Sequence, residues 1–203
     1  MYHAFDMMHA LPHPLPVAPG WVGNDATMTH DHHVFGSIPA PPITGEIAEP
    51  WVIVTPVRFR DLGKVARLQR RAFRPPLAYG LTTLFVLWLL PHVRFLVARD
   101  GERIVGCAIG DRQGGQSRVI NLCVDPTARR QGIGTRLLRS LEAALPHGDV
   151  VLMVEEGNVA AQSLYRKEGY RPVGTSRDYY GRGNDGIWMQ KSRTPNSAPT
   201  IRI

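Results

Sequence analysis

The sequence predicts an α/β domain built on a mixed central β-sheet flanked by helices. Three features carry that prediction. Between residues 50 and 191, short β-branched runs alternate with stretches of helical spacing. Two of the runs face each other across Asp100-Gly101, a dipeptide that supplies the positive φ of a hairpin turn and so an antiparallel pair. The run Val150 to Val154 is continuously apolar, as a strand covered on both faces must be.

In chain order, Trp51 to Phe59 reads as a strand bounded by prolines, and Asp61 to Phe73 as a helix with Leu62, Val65, Ala66, Ala72 and Phe73 toward one side. Pro75 and Pro76 close that helix. Leu77 to Leu90 reads as a second helix, apolar nearly all round, hence either deeply buried or a lid over an apolar site. Phe95 to Ala98 and Ile104 to Ile109 are the hairpin strands, and Val119 to Val124 is the next strand. Thr135 to Leu145 carries Leu137, Leu138, Leu141 and Leu145 on one helical face until Pro146 stops it. After the strand Val150 to Val154 come a helix, Val159 to Glu168, and two strands near Pro172 to Thr175 and Gly186 to Gln190.

At 203 residues and 43% apolar content the chain holds one domain of ordinary size, residues 50–191. Residues 1–49 are rich in Pro, Gly and His with no sustained period, and 192–203 are polar with two prolines, so both read as disordered tails. The first tail holds six of the eight histidines, but His30, His32 and His33 lack the folded surroundings that fix metal ligands, and no metal site is expected. The net charge of +7 and pI near 9.9 suit an anionic ligand. The basic residues are spread along the chain, so nucleic acid is not expected as the main ligand. Cys107 and Cys123 have no CxxC spacing, no export signal is recognisable, and the longest apolar run, Leu81 to Leu90, is far short of the roughly 20 residues of a membrane span. A soluble, cytoplasmic protein with free buried thiols is expected, either monomer or homodimer.

The chemistry centres on the segment from Val119 to Tyr170. The strand Val119 to Val124 leads through Asp125-Pro126 into Arg129-Arg130-Gln131-Gly132-Ile133-Gly134 and then a helix. Glycines there let the backbone approach a ligand, unpaired N–H groups point outward, and the helix dipole favours negative charge. The loop is neither GxxxxGK[ST] nor a three-glycine dinucleotide fingerprint. Further on, Asn158 suits a helix N-cap, Ala161, Leu164, Tyr165 and Glu168 share a face, and Gly169 suits the C-cap.

Arg129-x-x-Gly132-x-Gly134 after an apolar strand resembles the acetyl-CoA pyrophosphate loop of the GCN5-related N-acetyltransferase (GNAT) superfamily, and Asn158-x-x-Ala161-x-x-Leu164-Tyr165-x-x-x-Gly169-Tyr170 resembles its later motif. The resemblance implies a GNAT fold and acetyl-CoA as co-substrate. It assigns cofactor contacts to Leu122, Cys123 and Val124, one of whose backbone N–H groups would meet the thioester oxygen. Further contacts fall to Arg129, Arg130, Gln131, Gly132, Ile133, Gly134 and Thr135 around the pyrophosphate, and to Asn158, Ala161 and Tyr165. Tyr165 would be the general acid, since a phenol can protonate the departing thiolate. The side chain of Cys123 reads as a small core residue rather than an acyl carrier.

A closer resemblance is to the ribosomal-protein alanine N-acetyltransferase group, in Asn121 before the loop and in Arg177-Asp178-Tyr179-Tyr180 followed by Asp185-Gly186-Ile187-Trp188-Met189. It makes Tyr179 and Tyr180 candidate contacts for a peptide acceptor, against the plainer reading of an aromatic pair on a half-buried hairpin. The sequence departs from that group at Met153, where the group carries a glutamate base. Glu155, two residues on and so on the same strand face, would replace it directly or through water, or else be an exposed strand-end carboxylate. The expected activity is direct acetyl transfer to a primary amine, with an α-amine of a protein or peptide ranked first. A small-molecule amine, or a non-catalytic acyl-CoA-binding module, are the alternatives.

Overall fold

The structure, a computed structural model, describes residues 52–193 apart from 76, 146 and 147. The expected tail 1–49, with its histidines, and residues 194–203 lie outside the described residues. Seven strands form one sheet in the order β1-β2-β3-β4-β5-β7-β6. They are β1 (Val52–Pro56), β2 (Arg94–Asp100), β3 (Arg103–Gln113), β4 (Gln116–Val124), β5 (Val150–Glu155), β6 (Arg171–Ser176) and β7 (Gly186–Lys191). The helices are α1 (Leu62–Ala72), α2 (Leu81–Leu89), α3 (Ile133–Ala144) and α4 (Val159–Lys167). Every neighbouring pair is antiparallel except β4 with β5, so the sheet is mixed as expected.

Strand alternation divides the core between two faces. Val105 and Ala108 of β3 with Leu152 and Val154 of β5 meet the leucine stripe of α3, where Leu137, Leu138 and Leu141 are fully buried. Cys107 and Ile109 of β3 with Cys123 of β4 meet Val65 and Leu68 of α1 and Leu84 of α2. Gly110 of β3 is tightly enclosed: a Cβ there would sit 2.6 Å from the Arg118 carbonyl oxygen and 2.8 Å from the Leu145 side chain, just beyond α3. Gly110→Ala is therefore expected to cost about 1–3 kcal/mol by overpacking, read as a lower urea midpoint at unchanged slope.

Several boundaries differ from the sequence expectation. The first strand stops at Pro56, and Phe59–Asp61 turns as a 3-10 helix, because the Asp61 carboxylate accepts from the Arg58 N–H at 2.9 Å. β3 and β4 reach Gln113 and Gln116, beyond their apolar runs, because Asp111 and Arg118 stand opposite each other and pair in a buried, two-pronged contact of 2.9 and 2.6 Å. The second helix starts at Leu81 rather than Leu77, after Gly80 as N-cap. Deep burial of that helix is not what the structure shows. Leu84 and Leu87 face the core, while Leu81, Phe85, Val86, Trp88 and Leu89 are exposed, and Phe85 and Trp88 gather around Phe59 at ring distances of 5.5 to 6.2 Å.

Candidate active site

The parallel pair β4–β5 is short. Its register covers only Ser117↔Val150, Arg118↔Val151 and Val119↔Leu152, although β4 continues to Val124 and β5 to Glu155. Beyond Val119 the two strands part and leave a gap in the sheet. On the β4 side, the Asp125 N–H donates to the Val105 carbonyl at 2.8 Å, which makes Gly106↔Val124 a pair that exchanges no hydrogen bonds. By alternation, Leu122 and Val124 turn their backbone N–H groups into the gap, whereas Cys123 spends its own on β3. The Cys123 side chain is buried on the α1 face, 3.4 Å from the Cys107 sulfur. The hydrogen bond to Cys107 and burial push its pKa well up, so the thiol is protonated and unsuited to carrying an acyl group.

At the upper end of β4 the chain turns into the glycine-bearing loop. Asp125 organises the turn: one carboxylate oxygen accepts from the Thr127 N–H at 3.1 Å and hydroxyl at 2.9 Å, and the other accepts from Arg71 of α1 at 2.6 Å. Arg129 donates to the carbonyls of Val124 and Ala72, each at 3.3 Å, and so fastens the loop to the end of α1. Arg130 and Gly132 are left-handed, with φ of 63° and 75°. Gly132 is the N-cap of α3, and the first i to i−4 hydrogen bond is that of Arg136 to the Gly132 carbonyl, so the N–H groups of Ile133, Gly134 and Thr135 have no intrahelical acceptor. Ile133 points its side chain into the core, Gln131 is exposed, and a Cβ on Gly134 would meet Leu164 of α4 at 3.4 Å and Val124 at 3.8 Å. Outward amides at a helix N-terminus fit a diphosphate.

Burial works to raise the Asp125 pKa, but the hydrogen bonds from Thr127 and the nearby Arg71 charge outweigh it and hold the carboxyl below its ordinary value. A depressed folded pKa gives stability that is present above the unfolded pKa of about 3.9 and is lost as pH falls through the folded value. Asp61, held down by Arg99 and Arg58 in the same way against its burial, adds to the effect. Unfolding free energy is expected to decline with acid below about pH 4, and Asp125→Asn should flatten that decline in urea titrations across the range.

On the far side of the gap, Asn158 caps α4 by accepting from the Ala161 N–H at 3.1 Å. Ala161 packs against the core, and Tyr165, one turn further on, is buried with its ring edge-on to Tyr170 at 5.7 Å. The Tyr165 hydroxyl has no hydrogen-bond partner among the described residues, and burial raises its pKa, so the phenol keeps its proton at neutral pH.

Val150, Leu152 and Val154 of β5 face α3, which puts Met153 and Glu155 on the opposite face, together as expected. Glu155 is engaged: Arg74, just after α1, donates to its carboxylate at 2.5 Å. On this face the loop between β6 and β7 is stapled by Asp185 and Asp178, which accept from the N–H groups of Asp178 and Gly183. The Tyr180 hydroxyl donates to the Met153 carbonyl at 2.9 Å, and Tyr179 stacks edge-on to Tyr180 at 5.0 Å and lies near Trp188 at 6.4 Å. Both tyrosines are half-buried.

Four residues of this face escaped the sequence reading. Arg74 and Tyr79 come from the connection between α1 and α2. Burial pushes the Tyr79 hydroxyl up to about 12, with Tyr179 and Arg118 close enough to act on it. Gln69 of α1 is fully buried and donates to Asn121 at 2.8 Å, and its spacing from Val65 on the buried stripe was the available signal. Gln162 of α4 holds the turn before the helix by donating to the Glu156 carbonyl at 2.6 Å.

Comparison with known proteins agrees with this geometry. The family model described as "Acetyltransferase (GNAT) domain" matches residues 91–172. An uncharacterised N-acetyltransferase of Methanocaldococcus jannaschii is 32% identical over 154 residues, which is 74% of this chain and 97% of the relative. The N-alpha-acetyltransferase RimI of Mycobacterium tuberculosis is 40% identical over 106 residues, 50% of this chain and 67% of the relative. The crystal structure of the ribosomal-protein-S18-alanine N-acetyltransferase from Escherichia coli superposes with a TM-score of 0.64 at 21% identity, covering 75% of this chain and 99% of the other. A parted sheet with outward amides at its upper edge, a matching family model, and a relative 32% identical that aligns over 97% of its length place the chain in the GCN5-related N-acetyltransferase family of acetyl-CoA-dependent enzymes.

Proposed function

We propose that the protein transfers the acetyl group of acetyl-CoA to the α-amine of a protein or peptide. The observation that carries this reading is the gap beyond Val119↔Leu152, bounded by inward backbone N–H groups on one side and by the unpartnered Tyr165 hydroxyl's helix on the other. The loop from Arg129 to Thr135 receives the diphosphate, with Ile133, Gly134 and Thr135 donating through the backbone. Leu122 and Val124 present N–H groups where negative charge develops on the thioester oxygen. Asn158 and Ala161 line the pantetheine side. Tyr165 donates to the departing sulfur; a buried phenol resists becoming phenolate, so its work is to hold a proton at the sulfur as the carbon–sulfur bond breaks. Glu155 takes the proton released by the attacking amine, directly or through water, and Tyr179 and Tyr180 meet the peptide backbone. The reading keeps the enzyme in the cytoplasm, as monomer or homodimer.

A second reading, a small-molecule amine as acceptor, draws on Met153 and on the ion pair that ties Glu155 to Arg74. The two are separated by assaying CoA thiol release with short N-terminal peptides and with small amines. Turnover with peptides that falls on Glu155→Gln supports the proposal, and turnover with small amines alone overturns it.

A further inference from the structure

At the end of the sheet remote from the active site lies a cavity of about 600 Å³, lined among the described residues by His92, Arg94, Arg112, Gln113, the hairpin Gly114–Gly115 and the last residues of α3. Its volume is within the usual range for a small-molecule site, roughly 300–1,000 Å³. The active-site loop opens the N-terminus of α3, whereas this cavity sits at the C-terminal end, 12 residues away, or about 18 Å along the helix.

The strand register explains its charge. Arg94 pairs with Gly110, whose missing side chain makes room for Leu141 and Leu145, so Arg94 points to the α3 face. Arg112, two residues beyond Gly110, points the same way. His92 enters from the turn before β2. No carboxylate lines the cavity among the described residues, and among them neither arginine has an acidic partner: there Arg94 donates to the Pro91 and Val93 carbonyls alone, at 3.0 and 3.5 Å. The acidic neighbour on the last turn of α3, Glu142, is engaged elsewhere, by the Tyr170 hydroxyl and Lys191 at 2.7 Å each. Two carbonyls at the C-terminal end of α3 are also answered, Leu145 by Ser117 and Arg193 and Glu142 by Arg193.

We propose that this cavity is a second binding site, for a small polyanion whose anionic groups meet Arg94, Arg112 and His92. Polycarboxylates and phosphate esters share this chemistry, and two probes, citrate and glucose 6-phosphate, distinguish them. Calorimetric titrations are made on the full chain saturated with CoA, so that the phosphate loop is already filled. One saturable site for at least one probe is expected, weakened roughly tenfold or more by Arg94→Glu and by Arg112→Glu while CoA affinity is unchanged. Absence of saturable binding by both probes, or binding that neither charge reversal weakens, overturns the site. Because the readout is binding and not turnover, it is independent of which amine the enzyme acetylates.

Discussion

Tyr165→Phe is expected to lower kcat on the order of a hundredfold while leaving the affinity for acetyl-CoA nearly unchanged. The substitution removes one oxygen that makes no hydrogen bond to any described residue, and it keeps the ring that packs edge-on against Tyr170, so folding has little to lose. What it removes is the donor available to the leaving thiolate. A proton donor also has a signature in acceptor choice and pH. The loss should be smallest at low pH, where solvent more readily protonates the sulfur, and should grow as pH rises. Steady-state kinetics of wild type and variant across pH check this. Equal kcat for the two proteins at all pH values would remove Tyr165 from the chemistry.

Arg118→Ala should be the most damaging single change to stability, about 3–5 kcal/mol, because it leaves the Asp111 carboxylate buried without its two-pronged partner. The pair lies where β3 and β4 extend beyond their apolar runs, and Tyr79 packs close enough to feel both charges. Replacing both partners by apolar groups of similar volume, Asp111→Leu with Arg118→Met, removes the orphaned charge and should recover most of the loss. Urea unfolding of the two single variants and the double variant tests this. An Arg118→Ala protein as stable as wild type would mean that the buried pair contributes nothing.

The features that were legible in the sequence are those a residue type imposes locally. Gly132 must supply a φ of 75°, Asn158 must cap α4, and Leu137, Leu138 and Leu141 must share a face of α3, so loop, cap and stripe could be read without a partner in view. Glu155 on the face of Met153 followed from strand periodicity alone. The rest depends on residues far apart in the chain. Arg74 and Glu155 are 81 positions apart, and Gln69 meets Asn121 across 52. The lengths of β3 and β4 were hidden because a buried Asp–Arg pair looks like the charged end of a strand until the two side chains are known to face each other. The exposed side of α2 was hidden for the opposite reason. An apolar sequence signals burial, but here only Leu84 and Leu87 find the core, and Phe59 completes an aromatic ridge on the surface. The amide directions at Leu122 and Val124 came from one hydrogen bond, Asp125 to Val105, that no sequence pattern encodes.

The central claim is that the gap between β4 and β5 delivers acetyl from acetyl-CoA to an α-amine. The measurement that tests it most directly is tandem mass spectrometry of a short peptide with a free N-terminus and an internal lysine, after incubation with the enzyme and acetyl-CoA. The account predicts a single acetyl group on the N-terminal nitrogen, absent with Tyr165→Phe over the same time. Acetyl on the lysine side chain alone, or an unmodified peptide beside an acetylated small amine in a parallel reaction, would contradict it.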